Sequence, residues 1–475
     1  MIHFPEGFGL FLLFSAISLC ALYLFTGLED LMMDVIAIKN RLRPKIIDSW
    51  VLTYLGLLPE KKIAILVPAW KEGKIIGQML QGNLKRIKYQ NYLFLVGCYP
   101  NDPDTVAAVR RMALADPRVI PVVNHKEGPT SKGQMLNQLI DYSRTDLKQD
   151  GIEAFLLQDS EDVIDPWSLK LMNRELDFFD FVQIPVFSLE VNRGEIVAGT
   201  YVDEFAESHT KDLLVRAYLG AGIPSAGVGT AFSSRVIDAF IQKYGWVFYE
   251  KSLTEDYEFG IRTHLLGFKG TFAAYGFDDP STHKRHYIAT REYFPKKFRR
   301  SVRQKTRWTV GIVMQGWRNL GWSGTGMNRY FLYRDRRGLF TNLMTMGGYL
   351  LAGLLGILIL LSALPESLVN HSINQYLKIL FFLNVPLALY RIAQRGVCVF
   401  RIYGNRALWT LPLRWPVAVL INSLACFNAL FQSAVATVQR KHFQWVKTEH
   451  ELPEGFGGEV PVPVMAQLEL ERSAS

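Results

Sequence analysis

The sequence predicts an α/β domain with a Rossmann-like, mostly parallel sheet, joined to transmembrane α-helices. Three observations predict it. From residue 61 to about 180 short apolar runs alternate with helical stretches, long apolar segments stand at 7–26 and 339–364, and polar residues of the α/β part gather where strands end. Such alternation gives right-handed crossovers and a ligand beyond the carboxyl ends of the strands. With 475 residues, 49% of them hydrophobic, there is apolar sequence for a large core and for a bilayer besides.

The first apolar run, residues 7–26, is free of charge and long enough to cross a membrane. No Lys or Arg precedes it and no small-x-small cleavage site follows, so it reads as a retained anchor and not a secretory leader. Ile17-Ser18-Leu19-Cys20 has the outline of a lipoprotein acylation site, but Leu19 stands where a small residue is needed. Lys39, Arg41, Arg43 and Lys45 follow, which by the positive-inside rule puts the next domain in the cytoplasm.

Residues 63–68, 92–99, 119–123 and 154–159 read as strands, and 73–88, 105–115, 133–143 and 166–178 as helices. Glu72 follows the first strand, Asn101-Asp102-Pro103-Asp104 the second and Asp159-Ser160-Glu161-Asp162 the fourth. A turn explains any one of these; three at consecutive strand ends point to a site. Asp159, Glu161 and Asp162 repel one another unless a divalent cation lies between them, and hard oxygen ligands on a short loop suit Mg²⁺ or Mn²⁺ shared with a diphosphate. Gly128-Pro129-Thr130-Ser131-Lys132-Gly133 precedes a helix and can bring Lys132 and helix-start amides to phosphate, although an ordinary loop explains it equally well. Residues 220–233 are rich in small side chains and let an acceptor lie close to the backbone.

Thr254-Glu255-Asp256 opens an amphipathic helix. A carboxylate there is held by the helix with its head at the lip of a cleft, which suits a general base taking a proton from a hydroxyl. Asp256 is the candidate base, with Glu255 beside it as the second catalytic candidate; an acidic first turn accounts for the triplet when it is taken alone. Gln304, Arg307 and Trp308 stand at i, i+3 and i+4 and share one helix face. An aromatic plate beside a guanidinium and an amide suits a sugar and the phosphates of its leaving group.

The net charge of +9 is concentrated, with seven Lys/Arg between residues 296 and 307 and five Arg between 391 and 414. That pattern fits anionic lipid or phosphate, and no nucleic-acid-binding motif accompanies it. The four cysteines lie far apart without C-x-x-C spacing, so they support neither a disulfide framework nor a zinc site.

Val67-Pro68-Ala69-Trp70-Lys71-Glu72 resembles the V-P-A-x-N-E opening of family-2 glycosyltransferases. Asp159-Ser160-Glu161 resembles their D-x-D motif, Thr254-Glu255-Asp256 their acceptor-base motif, and Gln304-x-x-Arg307-Trp308 the Q-x-x-R-W of membrane-embedded polysaccharide synthases. Residues 99–105, 129–132, 224–230 and 302–311 look like the inner-membrane bacteriophage adsorption protein B group within that family. The resemblance implies a GT-A fold and inverting transfer from a nucleotide-diphosphate sugar, a UDP-sugar in the first instance. It puts Asp159 and Glu161 on a metal, with Asp162 beside them, and makes Asp256 the base. Glu72, Lys132, Asp159, Gln304, Arg307 and Trp308 become donor contacts. Lys71 departs from the usual Asn, and Cys98-Tyr99 stands where many relatives place a uridine-contacting aspartate, which leaves Asp102 or Asp104 to substitute.

Beyond Trp308 the chain turns apolar again, with a span expected at 339–364. Residues 376–390 are expected to stop at Tyr390, since carrying Arg391 and Arg395 into the bilayer centre costs about 2.5–3.5 kcal/mol each. Residues 411–438 contain Arg414, Pro416, Asn422 and Asn428, and Arg440 and Lys441 follow; a re-entrant or interfacial helical hairpin is expected there. The expected organisation is an anchor at 1–38, a glycosyltransferase domain at 50–294, interfacial helices at 295–330, a membrane region at 331–440 and a flexible acidic tail at 441–475. The expected activity is extension of a polysaccharide at the inner face of the bacterial cytoplasmic membrane. Single transfer to a lipid carrier is the alternative, and a non-enzymatic envelope scaffold or phage receptor component the third reading. Expected partners are the nucleotide sugar, a glycan or lipid-linked acceptor, membrane lipids and an outer-membrane protein, with no nucleic acid.

Overall fold

The computed structural model describes residues 6–279, 284–361, 364, 373–439, 452–453 and 456. The long helix α1 (Glu6–Lys39) is followed by β1 (Lys45–Ile47) and α2 (Ser49–Leu57). The α/β part then runs β2 (Ile63–Pro68), α3 (Ile76–Arg86), β3 (Tyr92–Cys98), α4 (Pro103–Ala115), β4 (Val119–Val123), α5 (Lys132–Thr145), β5 (Ala154–Leu157) and α6 (Ser168–Glu175). It continues through β6 (Phe181–Gln183), β7 (Val186–Ser188), α7 (Ile196–Glu207), α8 (Leu213–Tyr218), β8 (Thr230–Ser233), α9 (Ser234–Tyr244) and α10 (Glu255–Leu265). Strands β9 (Gly270–Phe272), β10 (Tyr275–Asp278), β11 (Arg285–Ile288) and β12 (Thr290–Glu292) follow, and then the helices α11 (Phe298–Trp308) and α12 (Gly316–Leu320). Among the described residues three long helices come next: α13 (Gly326–Leu360), α14 (Asn374–Tyr403) and α15 (Leu411–Gln439).

Seven strands form the main sheet in the order β4-β3-β2-β5-β8-β6-β9. β2 pairs in parallel with both β3 and β5, so its inner residues are buried on both faces, as the unbroken apolar run 63–68 requires. Ile63, Ile65 and Val67 pack towards α3, α4 and α6, whereas Ala64 and Leu66 pack towards α5, α9 and α10. β8 runs antiparallel between β5 and β6, which makes the sheet parallel-rich and not uniform. Its second half fell outside the strand–helix alternation because β6, β8 and β9 are only three or four residues long.

Among the described residues four helices are long and apolar enough to cross a membrane: Gly7–Lys39, Gly326–Leu360, Asn374–Tyr403 and Leu411–Ala436. Two expectations need correction. For α14 this concerns the helix and not the expected span: the helix runs on past Tyr390 to Tyr403, and in that extension Arg391 meets Asp30, Asp34 and Glu207 while Arg395 meets Glu207 and lies over the Trp415 ring. The segment at 411–438 is one continuous helix and not a hairpin. Its polar residues are contact points: Arg414 bonds both oxygens of Asp203 at 2.9 and 2.7 Å, Asn422 donates to Glu204 at 3.0 Å, and Ser423 donates to the Asn342 carbonyl at 2.8 Å. The expected acidic tail lies outside the described residues except at Leu452, Pro453 and Phe456, where Leu452 packs on the core and Arg86 lies over the Phe456 ring.

Candidate active site

A cavity of about 420 Å³ opens at the carboxyl ends of β2 and β5. At the turn after β2, Lys71 adopts a left-handed backbone (φ 57°), and the turn is held from β3's side. Asp102 accepts the Lys71 amide at 2.5 Å and Thr105 Oγ1 accepts the Glu72 amide at 2.9 Å. This leaves Glu72 on the cavity wall beside Trp70, whose ring meets Tyr99 edge-on at 5.1 Å. Tyr99 in turn shares a 2.6 Å hydrogen bond with Thr130. Asp102 and Asp104, expected as donor contacts, do not line the cavity. Asp102 fastens the turn, and Asp104 sits in the first turn of α4, pressed against Gly73.

Ser131 caps α5 by accepting the Gln134 amide, and Lys132 is the first residue of that helix. Its ammonium sits 2.6 Å from Asp159 Oδ1 and 3.4 Å from the Gly227 carbonyl oxygen. Burial alone would lower the Lys132 pKa, but the charges of Asp159, Glu255 and Asp256 overcome that and hold it above the ordinary lysine value. Asp159 and Glu161 line the cavity; Asp162 does not. Asp162 is fully buried and closes the loop by accepting the Asp159 amide at 2.6 Å. Burial, then the charges of Glu292, Asp159 and Glu161, push its carboxyl well above the usual range. Among the described residues no three His, Cys, Asp or Glu side chains converge as a metal-ligand set.

Helix α10 brings Glu255 and Asp256 to the same cavity. Its anchor is Phe259, whose ring lies 4.8–5.0 Å from those of Phe232, Phe248 and Phe240. Burial pushes both carboxyls up, further for Glu255 through the charge of Asp256, while Lys132 pulls both down. The Asp256 head needs Gly227: this glycine has φ 82°, and a Cβ there would collide with Asp256 Oδ2. Gln304, Arg307 and Trp308 all face the cavity from α11, as their spacing predicts. α11 is fixed by the Lys305–Glu204 ion pair and by a 2.9 Å bond between Tyr201 and Ser301. After Trp308 the helix widens into a π segment at Thr309–Gln315. There Gln315 accepts the Leu253 amide at 2.8 Å and donates to the Lys251 carbonyl at 3.1 Å, clamping the loop that leads into Glu255.

A second wall was not foreseen. It is the run α7–α8, interrupted by a π segment at Ser208–Asp212, with Phe205, His209 and Arg216 towards the cavity and Asp335 reaching in from α13. The helical spacing of Phe205, His209, Leu213 and Arg216 was a usable signal, but the π turn disturbs its period. Nothing local links Asp335 to them.

Residues 59–311 match the model of the family described as glycosyltransferase like family 2, just over half of the chain. Over 486 aligned positions the chain is 35% identical to bacteriophage adsorption protein B of Escherichia coli K12, covering 96% of this chain and 64% of that protein. The same figures hold for bacteriophage N4 adsorption protein B of Escherichia coli O157:H7. The chain thus spans less than two thirds of the length of these curated relatives. Among solved structures, mannosyltransferase PcManGT from Pyrobaculum calidifontis in complex with GDP-Man and Mn²⁺ is similar, with a TM-score of 0.53 at 14% identity. That likeness covers 89% of this chain and 99% of the other, and it shows the GT-A fold.

Proposed function

The chain belongs to glycosyltransferase family 2, and from that premise we propose that it transfers a sugar, with inversion, from a nucleotide-diphosphate sugar to a growing polysaccharide at the cytoplasmic face of the inner membrane. The observation that carries this reading is the meeting, in one cavity, of a helix-start carboxylate with the Asp159 loop, Lys132 and the Gln304–Arg307–Trp308 face. In the reaction the acceptor hydroxyl oxygen bonds to the anomeric carbon as the bond from that carbon to the phosphate oxygen breaks. The electron pair leaves on the nucleotide diphosphate and the proton passes to Asp256. Lys132 and Arg307 supply positive charge where the leaving group gains negative charge, and Trp308 offers a flat face to a sugar ring.

Asp159 and Glu161 are two hard-oxygen donors on one loop beside a buried ammonium, a set that fits a divalent cation held by one or two carboxylates together with substrate phosphates. Mn²⁺ or Mg²⁺ bound there offsets the charge of the diphosphate. The relative crystallised with GDP-Man and Mn²⁺ supports both the donor class and the metal. Basic residues Lys39, Arg41 and Arg43 at the end of α1 support a cytoplasmic catalytic domain.

The test is to incubate detergent-purified protein with UDP- and GDP-sugars and Mn²⁺, following nucleotide release and product size. Polymer of increasing length is expected. A singly glycosylated lipid as the end product would replace polymer synthesis by single transfer, and no turnover of any nucleotide sugar would contradict the activity itself.

A further inference from the structure

The wall formed by α7–α8 carries two polar groups that the transfer mechanism does not use. His209 is 5% exposed and accepts the Val186 amide at Nδ1 (2.7 Å). Nδ1 is therefore unprotonated, and Nε2 carries the hydrogen. Burial pushes the His209 pKa down to about 3, so the ring stays neutral at physiological pH. Among the described residues Nε2 has no hydrogen-bond partner, although the ring lines the cavity. Arg216, 3% exposed, also lines it. Its Nε donates to the Gly222 carbonyl at 2.6 Å and its Nη1 meets Asp335 at 2.8 and 3.0 Å, while its Nη2 has no partner among the described residues. A buried donor left without a partner, as Arg216 Nη2 is, is unfavourable, and a ligand that supplies an acceptor there relieves that cost.

The ring of Phe205 joins this polar end to the reaction centre. It lies 5.1 Å from His209 and 6.3 Å from Trp308, tilted by 49° and 55° to them, so the three rings follow one another along the cavity as a stepped aromatic surface. Asp335 offsets the charge of Arg216 and also accepts from Tyr257 at 2.7 Å. The wall therefore offers hydrogen bonds and an aromatic face, with the charge of Arg216 balanced by Asp335. We propose that this wall is an acceptor subsite for a neutral, polyhydroxylated sugar unit, which lies across Phe205 and Trp308 with hydroxyls accepting from His209 Nε2–H and Arg216 Nη2. His209 is here a positioning residue. The inference rests on the glycosyl-transfer reading and adds the acceptor's chemical class: uncharged glycan, and not a phosphate-bearing acceptor seated on these groups.

The experiment uses the full chain in detergent, saturated with a nucleoside diphosphate (UDP, then GDP) and Mn²⁺. Cellobiose and chitobiose serve as neutral probes and glucose 1-phosphate as the anionic one, with binding read by saturation-transfer NMR. The neutral disaccharides are expected to bind wild type. His209→Asn keeps an acceptor for the Val186 amide but loses the outer donor, so it should weaken disaccharide binding about fivefold. His209→Gln, whose amide nitrogen reaches towards the Nε2 position, should recover part of that loss, and nucleotide affinity should stay at the wild-type value in both. Arg216→Lys, which keeps a cation for Asp335 and removes Nη2, is the second variant and should show a similar loss. Disaccharide affinity unchanged in His209→Asn and Arg216→Lys, stronger binding of glucose 1-phosphate, or a wild type that takes nucleotide but no disaccharide would overturn the subsite. A wild type that takes no nucleoside diphosphate would overturn the transfer reading instead.

Discussion

Asp256 is held between an ammonium and a glycine, and both make it testable. The carboxylate is the form that accepts a proton, so transfer should rise with pH through the raised pKa of the Glu255–Asp256 pair and level off above it. Lys132 holds that pair down, so Lys132→Met should move the acid limb of the pH–rate profile to higher pH; a limb that stays in place would remove Lys132 from the electrostatics of the base. Gly227→Ala should cost about 10²-fold in kcat, because its Cβ must displace the Asp256 head and a shift of about an ångström at a reacting group has that effect. Donor affinity measured by calorimetry serves as the control. At this scale the sequence was informative where a residue's task is local. Asp256, Gln304, Arg307 and Trp308 could be placed from helix position and spacing alone. Asp102 and Asp104 could not, because an acidic cluster after a strand looks the same whether it faces a ligand or fastens the neighbouring turn, and Asp102 does the latter.

Elements act on one another here through a few fixed contacts. The π segment after Trp308 brings Gln315 onto the backbone of Lys251 and Leu253, and Gly311 presses close against Thr254. The helix that carries Trp308 thereby also sets the start of α10. Gln315→Ala is expected to lower thermal stability by about 1–2 kcal/mol and kcat more than donor affinity; equal loss in both would mean that the clamp shapes the whole cavity and not the base alone. α15 is tied to α7 by the Arg414–Asp203 pair, both partners almost fully buried. Asp203→Ala leaves a buried guanidinium unpaired and should destabilise by about 3–5 kcal/mol, read as a fall in the melting temperature. The strand 63–68 was legible to the residue because a strand buried on both faces is an unbroken apolar run, and the half-buried edge strand 119–123 because its run is apolar throughout as well. The contacts that α14 and α15 make were not, because their ion pairs reach residues 188 and 211 positions away in the chain.

At the scale of the whole molecule, the contacts of the four long helices divide them into a group of three and one that stands apart. α1, α13 and α14 are joined near their catalytic-domain ends by Glu29, Asp30 and Asp34 against Arg334, Arg337 and Arg391, and α14 is tied to α7 by Arg391 and Arg395 on Glu207. α15 differs: Arg414 and Asn422 both bind α7, and Cys426 lies against the Gly338 carbonyl near the start of α13. A helix bound to the catalytic domain over this much of its length fits the membrane interface better than a crossing. A reporter active only in the periplasm, fused after Thr448, should therefore be silent; strong activity would make α15 a fourth span. If Asp256 takes the acceptor proton during glycosyl transfer, replacing its carboxylate by an amide separates binding from chemistry. Asp256→Asn should retain the fold and nucleotide-sugar binding while transfer falls by about 10²–10⁴-fold. Transfer within about tenfold of wild type, at unchanged donor affinity, would contradict that role for Asp256.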